Sequence, residues 1–278
     1  MPLRRAALAL GLLACSRSGQ RVVEEPPLST SPAVVALGAS SEVSTSPSVP
    51  LADAGTDAKP GLTVRRQGAY ANLDPDDDLI IGPPAAFPEC ETELAQAGVK
   101  FKAAALAVHK EKGVKLECGA PQVVTYLRGP GNIAYSVAPL LTCSMALALA
   151  TFERILQKEA TTIFGSPVAR IDQIGTYSCR EIAAYPGLVS DHAYANAIDL
   201  TRFVLKNGAS IEILRDFDLS EGAPRKPAGA FLRVVSQRAN DEDVFSHVLT
   251  PFFNASHRNH FHLDLARYRN DGTRPQTP

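Results

Sequence analysis

Two segments narrow the folding options of this chain most: Ser190-Asp-His192-Ala-Tyr-Ala-Asn-Ala-Ile-Asp199 and His257-Arg-Asn-His260-Phe-His262, which together carry four of its six histidines. Asn196 to Val204 alternates as a strand, which sends Asp199 to the face opposite Ile198 and Leu200 and leaves His192 in the loop leading in. In the second segment His260, His262 and Asp264 alternate with Phe261, Leu263 and Leu265, so both histidines fall on one face of a half-buried strand. His192, Asp199 and His262 then form an N/O/N set with a fourth position open. Catalytic zinc sites have that form, whereas structural sites are usually closed by four ligands. The expectation is one zinc ion per chain.

The surrounding pattern is α+β. Glu91 to Ala97 reads as a short helix stopped by Gly98, and Val99 to Ala103 and Gln122 to Leu127 read as strands. The longest helical segment runs from about Pro139 to Phe164, with Leu141, Met145, Leu149, Phe152 and Leu156 at helical spacing and Gly165 closing it. Val168 to Ile174 is a strand, and Asn207-Gly208 joins Ile198–Leu205 to Ser210–Asp216 as a tight hairpin. Ala228 to Arg238 and Asp243 to Leu249 read as helices. A small antiparallel sheet carrying the zinc site and packed against helices is the expected architecture. His109 and His247 read as ordinary histidines satisfied by their surroundings, and Ser190 reads as a turn-capping residue or a support behind the ligands rather than a nucleophile, since no Gly-x-Ser-x-Gly elbow surrounds it.

The N-terminal third is different in kind. Arg4 and Arg5 precede an apolar run, Ala6 to Ala14, that is too short to cross a bilayer and reads as a secretory signal. Leu12-Leu-Ala-Cys15 matches a lipobox, so residues 1–14 are expected to be removed and Cys15 lipidated. Ser16 stands where an inner-membrane retention signal usually has Asp, which points to the periplasmic face of the outer membrane. Residues 15–84 are rich in Ser, Thr, Pro and Ala with few aromatics, and cannot bury enough apolar surface to offset backbone ordering. They read as a tether between the lipid anchor and a domain spanning 85–268, with 269–278 as a tail. The acidic run Asp74-Pro-Asp-Asp-Asp78 lacks the spacing of a calcium loop. A net charge of −1, with Lys and Arg scattered, gives no footprint for nucleic acid.

With Cys15 assigned to lipid, Cys90, Cys118, Cys143 and Cys179 remain, an even count that argues for two disulfides in an exported protein. Three pairings are open. Proximity in sequence favours Cys90–Cys118 and Cys143–Cys179, the latter pinning the long helix beside Arg180. A partnered Cys179 is a poor nucleophile.

The two histidine segments resemble the motifs of the LAS group of zinc peptidases, which cleave peptidoglycan cross-links. Ser190, His192, Ala197 and Asp199 fit Ser-x-His-x-x-Gly-x-Ala-x-Asp, with Ala195 at the glycine. His257, His260 and His262 fit the His-x-x-His-x-His ending of the penicillin-insensitive murein endopeptidases. Gly175-Thr-Tyr-Ser-Cys-Arg180 resembles the Gly-Ser-Tyr-Ser-Cys-Arg signature of the bacterial extensin-like C-terminal domain family, and the likeness runs from about Cys90 to Tyr268. It implies a zinc-dependent hydrolase acting on peptidoglycan stem peptides.

Of the remaining side chains, His260 is placed to act as general base, His257 to assist it or to stabilise an oxyanion, and Arg180 to hold a substrate carbonyl or carboxylate. No Glu near the motif competes for the base role. The alternative is a lipoprotein that binds cell wall or metal without turnover and keeps the site only as a scaffold. A plant-type structural extensin stands a poor third, since the chain lacks Ser-Pro-Pro-Pro-Pro repeats.

Overall fold

The computed structural model describes residues 83–112, 117–182, 185–266 and 269–275. The expected signal peptide, the lipidation site Cys15 and all but the last two residues of the 15–84 tether lie outside the described residues. Among the described residues no helix is long and apolar enough to cross a membrane.

Helix α2 (Cys143–Phe164) organises the interior. Its apolar stripe, Met145, Leu149, Phe152 and Leu156, is wholly buried, as its helical spacing predicts. The residues expected to form its first turn are instead a short strand, β4 (Leu140–Thr142). Thr142 ends that strand and caps the helix, its Oγ1 accepting the Met145 N–H at 3.3 Å, a bond worth about 1 kcal/mol. Gly165 closes the other end in the left-handed region at φ 62°, as a glycine at this position can without steric cost.

Helix α1 (Cys90–Gln96) packs on α2 and leads into a long antiparallel hairpin, β1 (Lys100–His109) and β2 (Cys118–Arg128), to which β4 adds a third strand. The larger sheet has seven strands: β3 (Ala134–Tyr135), β5 (Val168–Gly175), β8 (Ala197–Leu205), β9 (Ser210–Glu212), β10 (His247–Leu249), β11 (Phe261–Asp264) and β12 (Asn270–Gly272). Its order is β12-β10-β11-β8-β5-β3, with β9 continuing the β11 edge of β8. Strand β12 pairs in parallel with β10, and β3 in parallel with β5, so the expected antiparallel sheet is a mixed one. It also extends past residue 268, into the segment read as a tail. A two-stranded ribbon, β6 (Glu181–Ile182) and β7 (Tyr185–Val189), stands apart.

Helices α2 and α4 (Pro227–Asp241) cover the sheet face that carries Ile198, Leu200, Phe203, Phe261 and Leu263. Phe203 stacks edge-on against Phe231 of α4 at 5.6 Å. Each buried ring here contributes roughly 1.5–3 kcal/mol. An irregularity in β8 at Thr201, where Arg202 pairs with Asp172 but Leu200 with Gln173, shifts the alternation by one residue. Ile198 and Leu200 before it, and Phe203 and Leu205 after it, therefore all reach the core.

Two local readings are corrected. Asp243–Leu249 is not a helix. The chain reverses at the end of α4, where Val244 N–H bonds Ala239 O and Asp243 N–H bonds Asn240 O, with Asp243 itself left-handed at φ 55°. That is a Schellman closure built on Asp rather than Gly, and residues 247–249 then pair as β10. Ser210–Asp216 is likewise only half strand. After Glu212 it turns into α3 (Ile213–Asp216), held by Asp216 Oδ2 accepting the Glu212 N–H at 2.8 Å.

The disulfides are Cys90–Cys143 and Cys118–Cys179, with Cα atoms 5.7 and 5.6 Å apart. The expected pairing of Cys90 with Cys118 and Cys143 with Cys179 is overturned by the hairpin. Lys100 pairs with Arg128 at its base and His109 with Cys118 at its tip, so Cys118 is carried a full strand length away from α1. Closeness in sequence does not survive a long hairpin.

Candidate metal centre

Strands β8 and β11 are neighbours, and their register sets Asp199 directly opposite His262. Opposed residues in an antiparallel pair project to the same face, here the one turned away from the helices. His192 reaches the same point from a 3₁₀ turn, Asp191–Tyr194, that precedes β8. The turn is held from three sides. Thr142 N–H bonds Ala195 O, Ser178 N–H bonds His192 O, and Asn196 accepts the Thr142 hydroxyl at 2.9 Å while donating to Asp191 Oδ1 at 2.8 Å. Ala195 leaves the turn in the left-handed region at φ 54°, a conformation that glycine adopts without steric cost. Ser190 stands at the start of the turn, but its hydroxyl makes no capping bond, which removes the first of its two expected roles.

The three expected ligand residues converge. His262 Nδ1 lies 3.0 Å from Asp199 Oδ1 and 3.2 Å from His192 Nε2, and His192 Nε2 lies 3.2 Å from Asp199 Oδ2. Tetrahedral zinc with N and O ligands at about 2.0–2.1 Å has edges of about 3.3 Å. Separations of 3.0–3.2 Å are therefore close to what the ion requires, and one carboxylate with two imidazoles is a donor set it accepts. The residues fit the group. A second convergence, His109, Glu111 and Cys179, does not, because the Cys179 sulfur is committed to a disulfide.

The electrostatics separate ligands from neighbours. Burial alone would raise the Asp199 carboxyl, but hydrogen bonds from His192 and His262 outweigh it and hold the group far below the usual carboxylate range. Burial alone would lower His262, yet hydrogen bonds to Asp199 and Asp264 push it up to about 10. Two strong anionic acceptors thus flank one imidazole, an environment that a cation at Nδ1 satisfies as well as a proton does.

His260 and His257 are opposite in character. Burial, followed by the charges of His262 and His260, pushes His257 down to about 4. Burial also lowers His260, against the pull of Asp199. Each ring is held by an asparagine: His257 Nδ1 bonds Asn254 Oδ1 at 2.8 Å, and His260 Nδ1 bonds Asn259 Oδ1 at 2.9 Å. In each pair the N–H is on Nδ1, because the amide oxygen only accepts, and Nε2 is left with a lone pair. His260 Nε2 lies 3.7 Å from Asp199 Oδ1, and the His257 and His260 rings are 5.1 Å apart. Arg180 is exposed, and its charge is felt at His260. The structure therefore brings His192, Asp199, His257, His260 and His262 into one cluster, with Arg180 acting on it through its charge.

Sequence reasoning missed Thr142, Asn196, His247 and Asp264. Asp264 is 2 % exposed and accepts His262 Nε2–H at 2.8 Å and His247 Nδ1–H at 3.0 Å. Alternation had put Asp264 on the face of His262, a usable signal. Nothing local to His247 could have joined it to them.

A model of the family described as extensin-like protein C-terminus matches residues 88–274. No curated protein and no solved structure matches the chain. The match begins just before the cysteine that opens α1, ends just beyond the last strand, and takes in every residue of the centre: the chain belongs to the extensin-like C-terminal family.

Proposed function

We propose that this domain is a zinc-dependent hydrolase that cleaves the peptide part of bacterial peptidoglycan. One observation carries the reading: His192 Nε2 and His262 Nδ1 lie 3.2 Å apart, each within 3.2 Å of an oxygen of the Asp199 carboxylate, beside two histidines held uncharged. A scaffold that only bound metal would need the first feature but not the second. The choice of peptidoglycan rests on the likeness of both histidine segments to the LAS peptidases.

Zinc, when held by these three side chains, supplies a water of lowered pKa, near ~7, and a Lewis acid for the scissile carbonyl. Every other part of the reaction falls to the chain. His260, neutral and presenting a bare Nε2 beside Asp199, accepts the proton of the attacking water and returns it to the leaving amine. His257 donates no proton from Nε2 in its resting state, and so serves as a second acceptor or as a polar wall beside the base. Arg180, exposed and felt through its charge at His260, offers a planar fork for a carboxylate or carbonyl of the stem peptide. Two disulfides suit an oxidising compartment, which agrees with an exported lipoprotein anchored through Cys15.

The test is direct. The zinc-loaded chain, incubated with cross-linked muropeptides, should release new amino groups; chelation should stop the release and added zinc should restore it. His192→Ala, Asp199→Ala and His262→Ala should each lose most of the bound zinc, about one ion per chain in the unsubstituted protein. If the loaded chain sediments with isolated sacculi yet cuts no muropeptide, the catalytic reading fails and a binding lipoprotein takes its place.

A further inference from the structure

Behind His262 lies a second layer of polar side chains that the hydrolytic reading does not use. Strands β10 and β11 pair so that His247 stands opposite Asp264, and Asp264 shares the face of His262 two residues before it. All three side chains therefore line up on one face of the sheet. Asp264 accepts three hydrogen bonds. Its Oδ2 takes His262 Nε2–H at 2.8 Å and His247 Nδ1–H at 3.0 Å, while its Oδ1 takes the Ala266 N–H at 2.9 Å.

We infer that His247 and Asp264 are positioning residues: together they fix the ring of His262 so that Nδ1, and never Nε2, faces the metal. This rests on the metal reading above. With Nε2–H committed to a carboxylate 2.8 Å away, rotating the ring by half a turn would put Cε1–H against that carboxylate and Cδ2–H into the centre, and moving the proton to Nδ1 would leave a bare Nε2 against the carboxylate and N–H in the centre. Only one orientation presents a lone pair to the ion. The negative charge behind the ring also strengthens Nδ1 as a donor, as carboxylates behind metal-bound histidines generally do. His247 completes the arrangement by holding the carboxylate from its far side. A purely structural pair linking β10 to β11 would need only His247 and Asp264, and would have no reason to spend the same oxygen on the ligand.

Asparagine at 264 separates these roles, because it is nearly isosteric but cannot serve all three donors. If its amide oxygen keeps the Ala266 N–H, its NH₂ faces Nε2 of His262 and forces the proton to Nδ1. If the amide turns over, Ala266 loses its acceptor instead. Zinc affinity of the full chain, measured by competition with a chromophoric chelator, should fall roughly 10–100-fold in Asp264→Asn, and less in His247→Gln, which can still donate one hydrogen bond to Asp264. Thermal melting of the zinc-free proteins checks that the variants fold. Nitrogen-15 NMR of the histidine side chains in the unsubstituted, zinc-loaded chain needs no variant, and should show His262 protonated at Nε2 and metal-bound at Nδ1.

A folded Asp264→Asn chain that binds zinc as tightly as the unsubstituted one, or a His262 bound through Nε2, overturns this inference and leaves the metal reading intact. An unsubstituted chain that binds no zinc overturns both.

Discussion

His260 and His262 are two residues apart on one strand face, and burial pushes both imidazoles towards neutrality. What divides them is the partner at each nitrogen. His262 lies between two carboxylates and is driven up to about 10, whereas His260 donates to a neutral amide, Asn259, and stays below the usual histidine value. One is thereby suited to hold a cation and the other to receive a proton. His260→Ala should accordingly keep its zinc, measured by elemental analysis, and lose roughly 10²–10⁴-fold in muropeptide hydrolysis. His262→Ala should lose zinc and activity together. Arg180→Ala should raise KM or lower kcat/KM without touching metal content. Zinc loss in His260→Ala would make it a ligand instead. At this scale the sequence was largely legible, because His192, Asp199 and His262 are fixed by alternation along two strands and by spacing within one loop. His247 was not. Its role depends on which residue stands opposite it on another strand, and that register is a tertiary fact.

At the level of elements, α2 does more than present an apolar stripe. Glu153 sits at 0 % exposure on it, accepting Tyr126 Oη–H at 3.0 Å, Tyr135 Oη–H at 2.9 Å and Gly131 N–H at 2.8 Å. One helical turn on, Gln157 bonds both the N–H and the C=O of Val168. The helix thus ties β2, β3 and β5 to one another through buried polar contacts, and Glu153→Ala should cost about 1–3 kcal/mol for the donors it strands. Burial raises the Glu153 carboxyl more than its three hydrogen bonds lower it. A carboxyl whose pKa is raised on folding stabilises fully below its unfolded value of about 4.3 and loses that contribution as pH rises through the folded value. Urea denaturation from pH 4 to 8 should therefore show a downward component that is missing in Glu153→Gln. Equal slopes for the two proteins would show that the carboxyl titrates as if exposed. The apolar period of α2 was plain in the sequence and Gly165 marked its end. The segment 243–249 was misread because Val244, Phe245, Val248 and Leu249 are spaced as a helix would space them, and the residue that stops α4 is an aspartate in a place where glycine is the usual signal.

Over the whole molecule, the two disulfides make nearly equal thermodynamic constraints and unequal functional ones. They close loops with sequence separations of 53 and 61 residues, for which loop-closure entropy gives about 4 kcal/mol apiece. Loop length therefore predicts the same loss of stability from breaking either. Their locations differ. Cys90–Cys143 joins the first residues of α1 and α2, inside the main core. Cys118–Cys179 joins the tip of the β1–β2 hairpin to the loop that carries Arg180, and packs against Val189, Ala193 and Tyr194 around the His192 turn. Breaking it frees the segment whose Ser178 N–H holds His192 O and whose Arg180 O accepts the Ser190 N–H, so the centre loses two of the contacts that fix its first ligand. The double variant Cys118→Ser/Cys179→Ser should thus lower zinc affinity and kcat/KM well beyond Cys90→Ser/Cys143→Ser, while the two melt within a few degrees of each other. Matching losses of zinc affinity in both variants would mean that the disulfides act on the centre only through global stability, and that the Arg180 loop is held by its backbone contacts alone.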